Sequence, residues 1–207
     1  MRHADVRDAL LPQQGLYSLG LRDAAGVRTR IIGSVVSCAV APEDPQAVVS
    51  AIAHADTRIV SLTVTEKGYC HDPATRALNL AHADIEHDLA DAAAPRSAIG
   101  LVVRGLQARR DHGGQPLTLL CLDNLPANGD TLRGLVLAFA ERVDAQLARW
   151  IERECTFPNS MVDRIVPATT ARSAFRRSPS AAVSSCCSTR SRTSCGAAAR
   201  RSRTCSA

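Results

Sequence analysis

Side chains able to do chemistry gather in three short runs of this chain: Thr65-Glu66-Lys67-Gly68, Asp123-Asn124 within DNLPAN, and Asn159-Ser160 leading to Asp163. Carboxylates accept hydrogen bonds and carry protons, whereas an asparagine amide donates without titrating. Together these types can hold a polar ligand and move a proton. The plainer reading is that Asp and Asn at the ends of strands are turn and cap formers, and residue types alone leave both readings open. A fourth group, Cys70, His71 and Asp72 with His82 and His87, contains metal-ligand types. His82 and His87 stand five apart, however, which does not place them on one helix face, and Cys186, Cys187, Cys195 and Cys205 contain no CxxC pair. No metal is expected.

Those runs need elements to position them. Asp5 to Leu11 has helical character and ends at Pro12; Leu16 to Leu21 reads as a strand, and the β-branched segment from Arg28 to Val40 as a second strand or strand pair. APEDPQAVVSAIAHA predicts a helix with Val48, Val49 and Ile52 at helical spacing. Arg58 to Thr65 is a short apolar run of the kind found in a buried parallel strand. The polar stretch from Cys70 to Pro95 reads as a loop with one short helix and a poor candidate for core. Ser97 to Arg110 predicts a helix with Ile99, Val102, Val103 and Leu106 inward, and Leu117 to Leu122 another buried strand. Asn128 is placed to cap a helix over Gly129 to Val143, and Asp144 to Glu154 carries Leu147, Trp150 and Ile151 on one stripe. Strands alternating with helices imply an α/β fold with a mostly parallel sheet, in which ligands bind beyond the carboxyl ends of the strands. The first two polar runs lie at such ends.

The formal charge of +5 is unevenly spread. The first 170 residues carry more acid than base, and no Asp or Glu follows Asp163, so the basic character belongs to the tail. Cys38, Cys70, Cys121 and Cys155 are scattered on the acidic part, as reduced core thiols of a cytosolic protein are. No charged-then-apolar leader and no bilayer-length apolar run is present, so a soluble cytoplasmic protein is expected.

Four ordered segments, RDAL…GLYSL, SLTVTEKGY, CLDNLPANG and FPNSMVDRIVPATT, cover nearly all of residues 1 to 170 and closely resemble the mannitol dehydrogenase family of polyol and hexuronate oxidoreductases. The resemblance implies a nicotinamide cofactor, NAD or NADP, a polyol or sugar-acid substrate of the mannitol/fructose or mannonate/fructuronate type, and hydride transfer at a secondary alcohol carbon. It implies that Asn124 binds the substrate oxygen, that Asp163 lies beside the substrate pocket, and that Glu66 helps move protons, with Thr65 and Glu66 at the cofactor. Read without it, Asp163 pairs with Arg164 or caps backbone, and Glu66 is a solvated loop carboxylate. Lys67 is the chain's one lysine, but the family's base sits in a Lys-x-x-x-x-Asn-x-x-His motif that this sequence does not contain, so no catalytic role passes to it.

The chain also has no GxG, the turn that cradles a cofactor pyrophosphate. The expectation is therefore an incomplete Rossmann-type doubly wound domain over residues 1–170, lacking its first strands and Gly-rich turn, and inactive as it stands. Residues 171–207, almost entirely Ala, Arg, Ser, Cys and Thr, read as a disordered tail produced by a frameshift. The alternative is a basic arm that binds nucleic-acid phosphates, although it is almost without the aromatic residues that stack bases. The partner expected is a small polyol or sugar acid rather than a membrane or nucleic acid.

Overall fold

A computed structural model of the chain describes residues 4–162, Pro73 excepted. The described residues divide into two units, 4–17 with 32–162 and 18–31. β1 (Tyr17–Asp23) and β2 (Gly26–Ile32), which supply most of the smaller unit, form a two-stranded sheet. A two-residue connection permits only antiparallel pairing, and Gly26, at φ +132°, supplies a backbone conformation that other residues rarely adopt.

The larger unit opens with α1 (Asp5–Leu10) and a 3₁₀ turn over Leu11–Gln13. α2 (Pro45–Ala53) starts where two local signals coincide: Pro45 pre-sets the first-turn φ, and the Asp44 carboxylate accepts from the Ala47 amide at 2.9 Å. Then follow β3 (Ile59–Leu62), a 3₁₀ turn over Glu66–Tyr69, α3 (Ala83–Ala90), α4 (Ala98–Asp111), β4 (Thr118–Cys121), α5 (Asn128–Val143) and α6 (Ala145–Glu154). β3 and β4 pair in parallel, in register from Ile59 opposite Thr118 to Leu62 opposite Cys121, and Thr156 bridges in parallel to Thr118 on the far side of β4. One core joins the helices to these strands. Ile99, Val103 and Leu106 of α4, Leu132, Leu135, Val136 and Phe139 of α5, and Leu147 and Ile151 of α6 are all fully buried in it with Leu119 and Cys121 of β4.

Two buried charges are built into this frame. The Arg109 guanidinium, with no exposed surface, donates to the carbonyls of Ile52 at 3.2 Å, His54 at 2.5 Å and Thr57 at 2.9 Å, and to that of Gln115. It thereby satisfies carbonyls at the carboxyl end of α2, where the helix dipole favours a cation. The Asp88 carboxylate, also without exposed surface, accepts from the amides of Arg96 at 2.7 Å and Ser97 at 2.8 Å and from the Ser97 hydroxyl at 2.6 Å. The Ser97 oxygen in turn caps α4 at the Gly100 amide, and a Cβ on Gly100 would collide with that carboxylate.

Four expectations from the sequence need correction. Residues 33–40 lie outside any strand, so the segment from Arg28 contributes only β2. β3 is not a buried strand: Ile59 is 62% exposed, because among the described residues β3 has one sheet neighbour and is not covered on both faces. The stretch from Cys70 to Pro95 does contribute core, through Cys70, Leu78, Ile85 and the buried Asp88. Its apolar residues are too sparse to show a period, yet the loop folds back on itself. Finally, Asn128 is the first residue of α5 and makes no capping bond to it.

Candidate functional site

Parallel pairing brings the carboxyl ends of β3 and β4 to the same edge, and with them the two polar runs that follow. Asp123 ties these runs together. Its Oδ2 accepts from the Val64 amide at 2.8 Å and from the Tyr69 hydroxyl at 2.8 Å, and its Oδ1 from the Thr65 amide at 3.3 Å. The Tyr69 oxygen also lies 2.9 Å from the Cys121 sulfur, and the ring has no exposed surface. Burial, then the hydrogen bonds to Cys121 and Asp123, push the Tyr69 hydroxyl far above its ordinary pKa, so it stays a neutral donor.

A second set of bonds fixes the approach to Asp163. Asn128, 2% exposed, accepts from the Ser160 amide at 2.8 Å through Oδ1. Its Nδ2 faces the carbonyls of Cys121 at 3.2 Å and Asp123 at 3.2 Å and the Ser160 hydroxyl at 2.8 Å. The Ser160 hydroxyl donates to the Cys121 carbonyl at 2.6 Å. Asn159 supplies the cap that Asn128 does not: its Oδ1 accepts from the amides of Gly129 at 2.8 Å and Asp130 at 3.2 Å. The fit is close enough that a Cβ on Gly129 would come within 2.5 Å of the Phe157 and Pro158 carbonyl oxygens. Residues 157–160 are thus riveted both to the end of β4 and to the start of α5.

Asn124 is exposed, and its side chain makes no hydrogen bond among the described residues. Thr65, Glu66 and Lys67 are also exposed. Thr65 adopts φ 64°, ψ 160°, a backbone region almost confined to glycine, and its own amide donates to Asp123. The structure therefore unites Thr65, Glu66 and Asn124 on adjoining, cross-linked loops. Asp163 lies outside the described residues. Sequence reasoning placed Asp123 in a strand-end run without its bracing role, passed over Tyr69 and misassigned Asn128; the one available signal for Tyr69 was that it directly follows the Thr65–Gly68 run.

The residues present fit the reactive end of a nicotinamide dinucleotide better than its phosphates. Exposed polar groups stand at the strand ends, but the sequence offers no glycine-rich cradle, and the first amides of α5 are already taken by Asn159. No helix among the described residues is long and apolar enough to cross a membrane.

The family model of the mannitol dehydrogenase Rossmann domain matches residues 1–187. Mannitol 2-dehydrogenase of Pyricularia oryzae is 42% identical over 168 residues, 80% of this chain and 34% of the relative; that of Neosartorya fischeri is 43% identical over 166 residues, 79% and 33% respectively. The chain spans about a third of the length of these relatives. Among solved structures, Pseudomonas fluorescens mannitol 2-dehydrogenase in ternary complex with NAD and D-mannitol superimposes with a TM-score of 0.78 at 38% identity, covering 83% of this chain and 35% of that one. A substrate-free D-sorbitol dehydrogenase gives the same score and identity, covering 83% of this chain and 36% of that one. The fold is that of a Rossmann domain.

Proposed function

For a chain that belongs to the mannitol dehydrogenase family, we infer that the strand-end loops form the substrate-oxygen side of an NAD-dependent polyol oxidoreductase site. The observation that carries this reading is the exposed Asn124 amide on a loop whose preceding residue, Asp123, is locked to the Thr65–Tyr69 segment. A donor kept off internal partners but on a fixed backbone is what a substrate oxygen needs. NAD, when bound, supplies the acceptor for the hydride leaving the secondary alcohol carbon.

The residues of this chain handle the oxygen. As the hydroxyl proton departs, charge grows on that oxygen, and the Asn124 amide binds it more strongly than it binds the neutral alcohol, which lowers the barrier. Asn124 does so at any pH because it does not titrate. Glu66, on the adjoining loop, offers a path for the proton to solvent; Thr65 and Glu66 border the cofactor, and Asp163 borders the polyol. The mannitol 2-dehydrogenase complex with NAD and D-mannitol supports NAD and a polyol or its ketose, with a hexuronate as the other substrate class of the reading.

The proton-accepting motif Lys-x-x-x-x-Asn-x-x-His is not among these 207 residues, so binding and turnover are separable here. In nitrogen-15 spectra of the chain, NADH with fructose is expected to shift the Asn124 side-chain amide and the Thr65 backbone amide, while mannitol oxidation stays far below an ordinary enzymatic rate. Unmoved Asn124 and Thr65 signals at millimolar ligand would refute the site. Rapid turnover by the purified chain would instead refute the need for groups outside it.

A further inference from the structure

The 3₁₀ turn Glu66–Tyr69 ends on Cys70, whose φ of 51° turns the chain sharply. The following loop closes on itself through three backbone bonds: Asp72 amide to Ala77 carbonyl at 2.9 Å, Arg76 amide to Asp72 carbonyl at 2.7 Å, and Asn79 amide to Cys70 carbonyl at 3.0 Å. His71 and Leu78 form an antiparallel bridge within it. This closure returns the chain to Cys70 just where α3 begins. One ligand atom each of Cys70, His82 and Asp84 then lies within 4.8 Å of the others, a convergence absent from the linear spacing of these residues.

From this convergence we propose that Cys70, His82 and Asp84 form a binding site for a zinc-class divalent transition ion, separate from the residues assigned to substrate. A thiolate, an imidazole and a carboxylate are ligands for a borderline-soft ion rather than for magnesium or calcium, which take oxygen. Zinc bonds of about 2.0–2.3 Å place neighbouring ligand atoms roughly 3–4 Å apart. His82 Nδ1 and an Asp84 oxygen are 4.0 Å apart, at the outer end of that range, and both side chains are partly exposed. Cys70 is 5% exposed, which shields the metal–sulfur bond from solvent. His82 Nδ1 accepts from the Asp84 amide at 3.2 Å, a bond that the ion replaces when it takes Nδ1. Ion entry displaces the Cys70 thiol proton to solvent, leaves the ion bound to sulfur, nitrogen and oxygen, and keeps a fourth position for water. The ion thereby clamps the end of the Glu66–Tyr69 turn to α3.

Cobalt(II) titration of the chelator-treated full chain, followed through its sulfur-to-cobalt absorption in the near ultraviolet, tests the site. One equivalent is expected to bind, be displaced by zinc, and weaken at least tenfold in Cys70→Ser, His82→Ala and Asp84→Ala. His71→Ala and a chain with Cys186, Cys187, Cys195 and Cys205 changed to Ser should bind as before. Circular dichroism identifies any unfolded Cys70→Ser protein, in which case the two partly exposed positions decide. An unmodified chain without the band, or folded His82→Ala and Asp84→Ala proteins with unchanged affinity, would overturn the assignment, as would loss of the band with the tail cysteines alone.

Discussion

Tyr69 donates its hydroxyl to the Asp123 carboxylate at 2.8 Å, joining the segment after β3 to the segment after β4. The carboxylate also receives the Val64 and Thr65 amides, so one side chain sets the relative position of both polar runs. Every functional assignment made for Asn124, Thr65 and Glu66 rests on that cross-link.

Removing the hydroxyl should therefore loosen the loops before it unfolds the domain. Tyr69→Phe is expected to cost about 1.5–3 kcal/mol, the usual worth of a hydrogen bond to a charged group. Asp123→Ala should cost more, because it strands the buried hydroxyl and the two amides together. Urea titration gives the free energies, and faster hydrogen exchange at Val64 and Thr65 would locate the effect. An unaltered urea midpoint in Tyr69→Phe would contradict the cross-link.

Asn124 and Asn128 should behave as opposites although four residues apart. Asn124 is exposed and makes no side-chain hydrogen bond among the described residues, so Asn124→Ala is expected to change stability by less than about 0.5 kcal/mol while erasing the fructose-dependent shifts. Asn128 is buried and bonded to the Cys121, Asp123 and Ser160 backbone, so Asn128→Ala should destabilise by about 2–3 kcal/mol through groups left unpaired. Paired urea and ligand titrations of the two variants decide. Equal destabilisation by both would sink the distinction.

Thr65 offers a test of strain. Its φ of 64° and ψ of 160° cost a β-branched residue about 1–3 kcal/mol, whereas glycine adopts them readily. Glycine also raises the unfolded chain's entropy, an offset of about 0.4–1 kcal/mol. Thr65→Gly is thus expected to raise the melting temperature, and a fall would show that the side chain makes a stabilising contact at this turn.

Acid should act on the junction of α5 and α6. Asp144 pairs with Arg110 at 2.8 Å and caps α6 at the Gln146 amide at 2.7 Å. The Arg110 hydrogen bond first, and the Gln146 amide next, hold its carboxyl below the usual value. A lowered native value means the stabilisation is fully present above the unfolded carboxylate's pKa of about 4 and is lost as pH falls through the native one. Asp144→Asn keeps a capping oxygen but no charge. The stability gap between the native chain and this variant, measured in urea at pH 7, 5 and 3, should therefore shrink toward zero at the acid end; a constant gap would assign the effect to the cap alone.

The helices were legible because their causes are local. Asp44 and Pro45 start α2, the apolar spacing of Ile99, Val102, Val103 and Leu106 orients α4, and Leu147 and Ile151 orient α6; each signal lies within a turn or two of the residue it controls. The strand-end position of Thr65, Glu66 and Asn124 followed from the same alternation. What depended on distant partners did not follow. A helix amide takes the nearest well-aimed oxygen in space, so α5 is capped by Asn159 from the distant FPNS run, while Asn128, the nearest candidate in sequence, turns inward to bind Ser160. Burial of Ile85 and Asp88, and the meeting of Cys70 with His82 and Asp84, likewise wait on a loop closing upon itself. Sequence by itself determined the main helices, their order and the family. Tertiary structure decided which side chain serves which partner, because backbone preferences act over a few residues whereas hydrogen bonds and packing act across space.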